Sequence, residues 1–89
     1  MPKMVITHGV VDVEKWLSFK AERGQAISAM GVSQIAEFVA EDGSNAVAIS
    51  GKVDDVETVL KATSSPSPEL GARMADHGVI PPLTIYVER

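Results

Sequence analysis

The sequence contains no cysteine. That removes disulfide staples, thiolate metal sites and cysteine nucleophiles from its chemistry. Aromatic side chains are almost as scarce. Trp16, Phe19, Phe38 and Tyr86 make up 4% of the chain, so alanine and valine supply most of the apolar surface. Lys and Arg together number 8 against 12 acids, for a net charge of -4, and the basic residues form no run. Phosphate binding needs clustered basic groups, so nucleic acid is not an expected partner. No apolar run approaches the roughly 20 residues of a membrane span. The opening stretch Met1 to His8 lacks the long apolar core of a signal peptide. The expectation is a soluble cytoplasmic protein with no membrane partner. Chemical signatures are missing too. No G-x-G-x-x-G, Walker or G-x-S-x-G pattern is present, and no H-x-x-x-H or H-E-x-x-H pair suggests a metal site. No metal and no cofactor are expected.

What remains has the composition of an ordinary globular chain: 89 residues, 45% hydrophobic and 22% charged. That length holds one domain, residues 1–89. Met4 to Val10 is a β-branched stretch that reads as a strand. Asp12 follows as a helix N-cap, with Glu14 in the favourable first turn. From Val13 to about Met30, apolar residues recur at three- and four-residue spacing, which predicts one helix. Gly24 costs about 1 kcal/mol inside it relative to alanine, and close helix–sheet packing is its expected reason. Gly31 is a C-cap signal.

Val32 to Glu41 reads as a second strand, Asp42 to Asn45 as a hairpin turn, and Ala46 to Val53 as a third strand. Asp54 with Glu57 forms a capping-box pattern. It opens a short helix burying Val56, Val59, Leu60 and Thr63. Residues 64–68 break that helix. Ser67 as N-cap and Pro68 at the first helical position then start another, which stops at Gly78. Residues 79–82 read as a connector and Leu83 to Glu88 as the last strand. The order β-α-β-β-α-β is the ferredoxin-like α+β arrangement. It has a four-stranded antiparallel sheet with helices on one face, and the second helical region is split in two.

Such a sheet leaves its other face bare. Strand three presents Val47 and Ile49 on one side and Ala46 and Ala48 on the other. Strands apolar on both faces are usually covered on both, and a chain this small buries only roughly 60–65% of its unfolded surface. The simplest cover is a second copy packed sheet to sheet, which predicts a homodimer.

Two stretches carry a family resemblance. His8-Gly9-Val10-Val11-Asp12-Val13-Glu14-Lys15-Trp16 resembles the H-x-V-x-D-x-x-x-W opening of small proteins in the dimeric α+β barrel superfamily, close to the antibiotic biosynthesis monooxygenase-like group. Pro68 to Met74, followed by Gly78-Val79, resembles that group's penultimate helix. The resemblance implies a homodimer whose sheets close into a barrel, with a pocket between sheet and helices in each subunit. It also implies the activities found in that superfamily: cofactor-free oxygenation of polycyclic phenols, haem degradation and lactone isomerisation. The fold alone does not choose among them.

The candidate site residues are few. His8, near the end of the first strand, is the candidate general base. Trp16 is either a pocket wall or the main core plug, and Phe19 lies on the neighbouring row. Arg23 is available for a ligand carboxylate or for an ion pair. His77 ends a helix, where the dipole favours a cation. Met74 and Tyr86 complete the candidate pocket. The functional expectation is a cofactor-free monooxygenase or isomerase for a small aromatic or polyketide-like molecule, with His8 as base. The alternative is a non-enzymatic module that binds a small hydrophobic ligand. Haem held through His8 or His77 is a third possibility.

Overall fold

The computed structural model describes residues 2–89. Its elements are β1 (Lys3–Val10), α1 (Val13–Ser18), α2 (Lys20–Ser28), β2 (Val32–Val39), β3 (Ala46–Val53), α3 (Val56–Ser64), α4 (Pro68–Asp76) and β4 (Val79–Val87). The four strands form one antiparallel sheet in the order β2-β3-β1-β4. This is the ferredoxin-like α+β topology expected from the order of elements. The second helical region is split at the Ser/Pro segment. There the Ser67 hydroxyl accepts from Leu70 N at 3.2 Å and Pro68 opens α4.

Register sorts the side chains into two faces. Gly51, Met4 and Val87 form one cross-strand row toward the helices, and Glu37, Ile49, Ile6 and Ile85 form the next. The opposite face carries Phe38, Ala48, Thr7 and Thr84 in one row and Ala36, Ser50, Val5 and Tyr86 in another. The core lies on the helix side. Met4, Val32, Val53 and Val59 form one buried cluster, and Val10, Trp16, Val47 and Ile49 form a second. The rows pack tightly at Gly51, where a Cβ would lie 2.5 Å from Val32 Cγ1.

Several elements depart from the sequence reading. The helix expected over residues 13–30 is broken at Phe19, whose φ of -96° and ψ of 11° are not helical. The break matters because it frees the Trp16 carbonyl for two donors. Phe19 N–H reaches it at 3.2 Å and Arg23 Nη2 at 2.9 Å. Gly24 is not a close-packing position, since a Cβ there meets nothing within 4 Å. Asp55, not Asp54, caps α3: its carboxylate accepts from Glu57 N at 3.1 Å and from the Thr58 hydroxyl at 3.0 Å. Asp54 instead donates its N–H to the Gly31 carbonyl. β2 ends at Val39, two residues early.

β4 begins at Val79, so Pro81 and Pro82 lie inside it and not in a connector. Two features make that tolerable. β4 is an edge strand, where a missing donor can face outward. The ladder with β1 also shifts register between Thr7↔Thr84 and Gly9↔Ile80, which places both prolines in the irregular segment.

Candidate functional site

Between the sheet and the helices lies a half-open cavity of about 90 Å³. Its apolar walls include Ile27 and Met30 from the end of the first helical region, Leu70 and Met74 from α4, and Leu83 from β4. Four basic side chains reach it: His8, Arg23, Arg73 and His77. A broader hollow of about 420 Å³ lies on the opposite sheet face among Thr7, Phe38, Ala48 and Thr84. That hollow is open sheet surface. The cavity between sheet and helices is the candidate site, because it combines an apolar interior with converging polar groups.

His8 comes from β1 on the row of Val47 and Val39, toward the helices. It is buried, and its ring meets Trp16 edge-on at 6.1 Å between centroids. Its Nδ1 lies 2.9 Å from the Gly9 carbonyl. A carbonyl only accepts, so Nδ1 carries the proton and the neutral ring leaves a lone pair on Nε2. The pKa is lowered, chiefly by burial; the Gly9 hydrogen bond opposes this and the Arg23 charge adds to it. His8 is therefore an uncharged base at neutral pH.

Arg23 is the hub of the polar cluster. Its Nε donates to Glu37 Oε2 at 2.6 Å and its Nη2 to Glu37 Oε1 at 2.8 Å, a two-pronged pair with both side chains buried. Nη1 lies 3.1 Å from His77 Nδ1. The guanidinium also covers the Trp16 ring, with Cζ 4.0 Å from its centroid. Of the two roles open to Arg23, ion pairing is the one the geometry occupies, and no ligand carboxylate is needed to explain it.

His77 is not the dipole-favoured cation expected at a helix end. It is 3% exposed and stacked on Phe19, with centroids 4.3 Å apart. Its pKa is lowered, first by burial and then by the Arg23 charge. Guanidinium can only donate, so Nδ1 accepts and the neutral ring carries its proton on Nε2. Among the described residues, the fully buried side-chain polar atoms without a partner are this Nε2 and Trp16 Nε1. His8 Nε2, also unpartnered, is not fully enclosed.

The expected site residues therefore divide. His8, Arg23, Met74 and His77 meet at the cavity. Trp16 is fully buried in the core beneath Arg23. Phe19 backs His77. Tyr86, expected in the pocket, lies on the other face of the sheet at 58% exposure. Its partner across the ladder is Val5, whose neighbours Met4 and Ile6 point the opposite way. Sequence reasoning missed Glu37, Glu22 and Arg73. Glu37 gave no local signal, because strand alternation from Val32 places it on the outer face and only the bulge at Gln34 turns it inward.

Among the described residues no three His, Asp or Glu side chains come together as a metal would require.

No family model matches the chain, and no curated protein matches it by sequence. Solved structures do match in shape. A dimeric ferredoxin-like protein from an uncultured marine organism superposes with a TM-score of 0.61 at 7% identity, over 100% of this chain and 93% of that one. A candidate antibiotic biosynthesis monooxygenase from Bordetella bronchiseptica gives 0.66 at 12% identity, over 99% and 94%. A further antibiotic biosynthesis monooxygenase gives 0.65 at 11% identity, over 100% and 97%. The chain thus has the ferredoxin-like fold of the antibiotic biosynthesis monooxygenase-like structures.

Proposed function

We propose that this chain is a cofactor-free monooxygenase or isomerase acting on a small aromatic or polyketide-like molecule, with His8 as its base. The observation that carries the reading is His8 itself. Its tautomer is set by the Gly9 carbonyl, burial keeps it neutral, and it sits at an apolar cavity. Such a nitrogen can take the proton of a phenol. The resulting phenolate is electron-rich enough to be oxidised by dioxygen. One oxygen atom forms a bond to a ring carbon and replaces its hydrogen, while the other leaves as water: phenol plus O₂ gives quinone plus water. Isomerisation uses the same base to move a proton without O₂. The names of the structural neighbours above support the first version.

The cavity must enlarge to admit a ring, since an engineered cavity of about 150 Å³ is of the size that holds benzene. α4 is the wall suited to yield, because it buries no residue of its own. The expected result is O₂ uptake when purified protein meets a panel of phenols, naphthols and hydroquinones, with quinone formation followed by absorbance. No O₂ uptake and no isomerised product across the panel would remove the enzymatic reading.

The working unit in this reading is a homodimer. Phe38 and Tyr86 stand 53% and 58% exposed on the helix-free face, beside Val5, Ala36 and Ala48. Monomers avoid contiguous apolar surface of this kind, and one structural neighbour is itself dimeric. Native mass measurement should give twice the 9.4 kDa of one chain; a monomer throughout the micromolar range would sink the dimer. The absence of cysteine and the net charge of -4 support a cytoplasmic protein that does not bind nucleic acid.

A further inference from the structure

We infer that Arg73 and His77 form an anion subsite at the rim of the cavity. It takes the carboxylate of a small aromatic acid whose ring enters the apolar interior. The inference rests on reading this cavity as a ligand site, and it names the ligand class that site prefers.

Three observations converge. First, His77 has a donor to spare. Its Nδ1 is occupied by Arg23 Nη1, so the ring proton sits on Nε2, which is fully enclosed and has no acceptor within bonding distance. Buried donors are rarely left in that state without cause. Second, a carboxylate already spans the two groups without closing on either. Glu22 Oε1 lies 3.5 Å from Arg73 Nε, and Glu22 Oε2 lies 4.0 Å from His77 Nε2. Charge-assisted hydrogen bonds to carboxylates normally run at about 2.7–2.9 Å. Glu22 comes from α2, and its side chain is 52% exposed.

Third, the other cation at the cavity is committed. Arg23 is engaged by Glu37, Trp16 and His77. Arg73 is the cavity-lining cation whose partner can be displaced. A free carboxylate, not tethered to α2, can close on Arg73 directly, and on the enclosed His77 Nε2 once α4 yields to admit the ligand. Asp76 opposes this, since its charge also reaches His77; its exposure lets solvent screen that effect. The aromatic body would lie among Ile27, Met30, Leu70 and Met74, one turn or less from the anion. In this arrangement Glu22 is an internal stand-in for the ligand's carboxylate, and it competes with it.

The test compares benzoate, benzamide and phenol. These have similar size, and only benzoate carries the charge. Binding is measured by calorimetry, with the His77 ring nitrogens followed by NMR. Benzoate should bind about 10-fold more tightly than benzamide, the effect of roughly one charge-assisted hydrogen bond. Arg73→Gln should erase that preference. Glu22→Gln, which removes the competing anion, should tighten benzoate several-fold and leave phenol unchanged. Both substitutions are at partly exposed side chains, so the fold is retained. Benzoate binding no more tightly than benzamide overturns the subsite, and so does unchanged or weaker benzoate binding in Glu22→Gln. If phenol binds in either case, the cavity stands as a ligand site without this specificity. If none of the three binds, the ligand-site reading fails and takes the subsite with it.

Discussion

Replacing Glu37 by alanine lowers the stability of the folded chain by about 3–5 kcal/mol, the cost of leaving a buried charge without its partner. The arginine it would abandon cannot escape to water. Arg23 is held against the Trp16 ring at 4.0 Å and bonded to the Trp16 carbonyl at 2.9 Å, with its side chain 7% exposed. For a domain of this size each kcal/mol is about 4–8 °C in melting temperature, so the variant should melt well over 10 °C lower. Urea unfolding at fixed protein concentration measures it, because a dimer's midpoint moves with concentration. A loss below about 1 kcal/mol would mean that the pair is solvated in solution and that Arg23 is not the hub described above. A companion variant separates the pair from its burial. With Arg23→Met and Glu37→Leu combined, both charges go together, and most of the lost stability should return. The Arg23 contact that holds His77 would go with them.

That ion pair also shows where the sequence stops being legible. Parity along β2, counted from the buried Val32, turns Gln34, Ala36 and Phe38 inward and leaves Glu37 outside. The structure does the reverse. Ser33 pairs with Lys52 and Ala36 with Ser50, so β2 spends three residues where β3 spends two. The extra residue is a bulge at Gln34, whose φ is +53°. A bulge switches every later side chain to the opposite face. Glu37 thereby enters the core, and Phe38 leaves it for the helix-free surface. Nothing local in Ser33-Gln34 announces the bulge, because neither residue is glycine. The bulge lies opposite Gly51, where β2 and β3 pack closely.

Element order, by contrast, was legible, because it depends on caps and turns that act locally. Asp12, Ser67 and Gly31 stand where local chemistry puts them. Positions in the site needed long-range facts. His77 looks like a dipole-favoured cation from its own helix alone; only α2, folding Arg23 against it, makes it a neutral acceptor. The face chosen by His8 depended on strand register, which no motif around residue 8 encodes.

The second large effect concerns that histidine. His8→Gln should lower kcat by about 10²–10⁴-fold on whichever phenol the protein turns over best, the usual contribution of a positioned base. Glutamine is the informative replacement. Its amide can still donate to the Gly9 carbonyl and fill much of the same space, so folding is little changed and the loss reports proton transfer. The pH profile gives an independent reading. Burial lowers the His8 pKa below its ordinary value of 6.5, and the protonated ring has no lone pair to offer at Nε2. Activity of the unsubstituted protein should therefore rise with pH through a midpoint below 6.5 and be level by neutrality. In His8→Gln that rise should disappear from the residual rate. A midpoint above 6.5 would contradict a neutral, buried imidazole. A full rate in His8→Gln would remove His8 as the base, and His77 could not take its place, because its Nδ1 lone pair is engaged by Arg23 and its Nε2 already carries a proton.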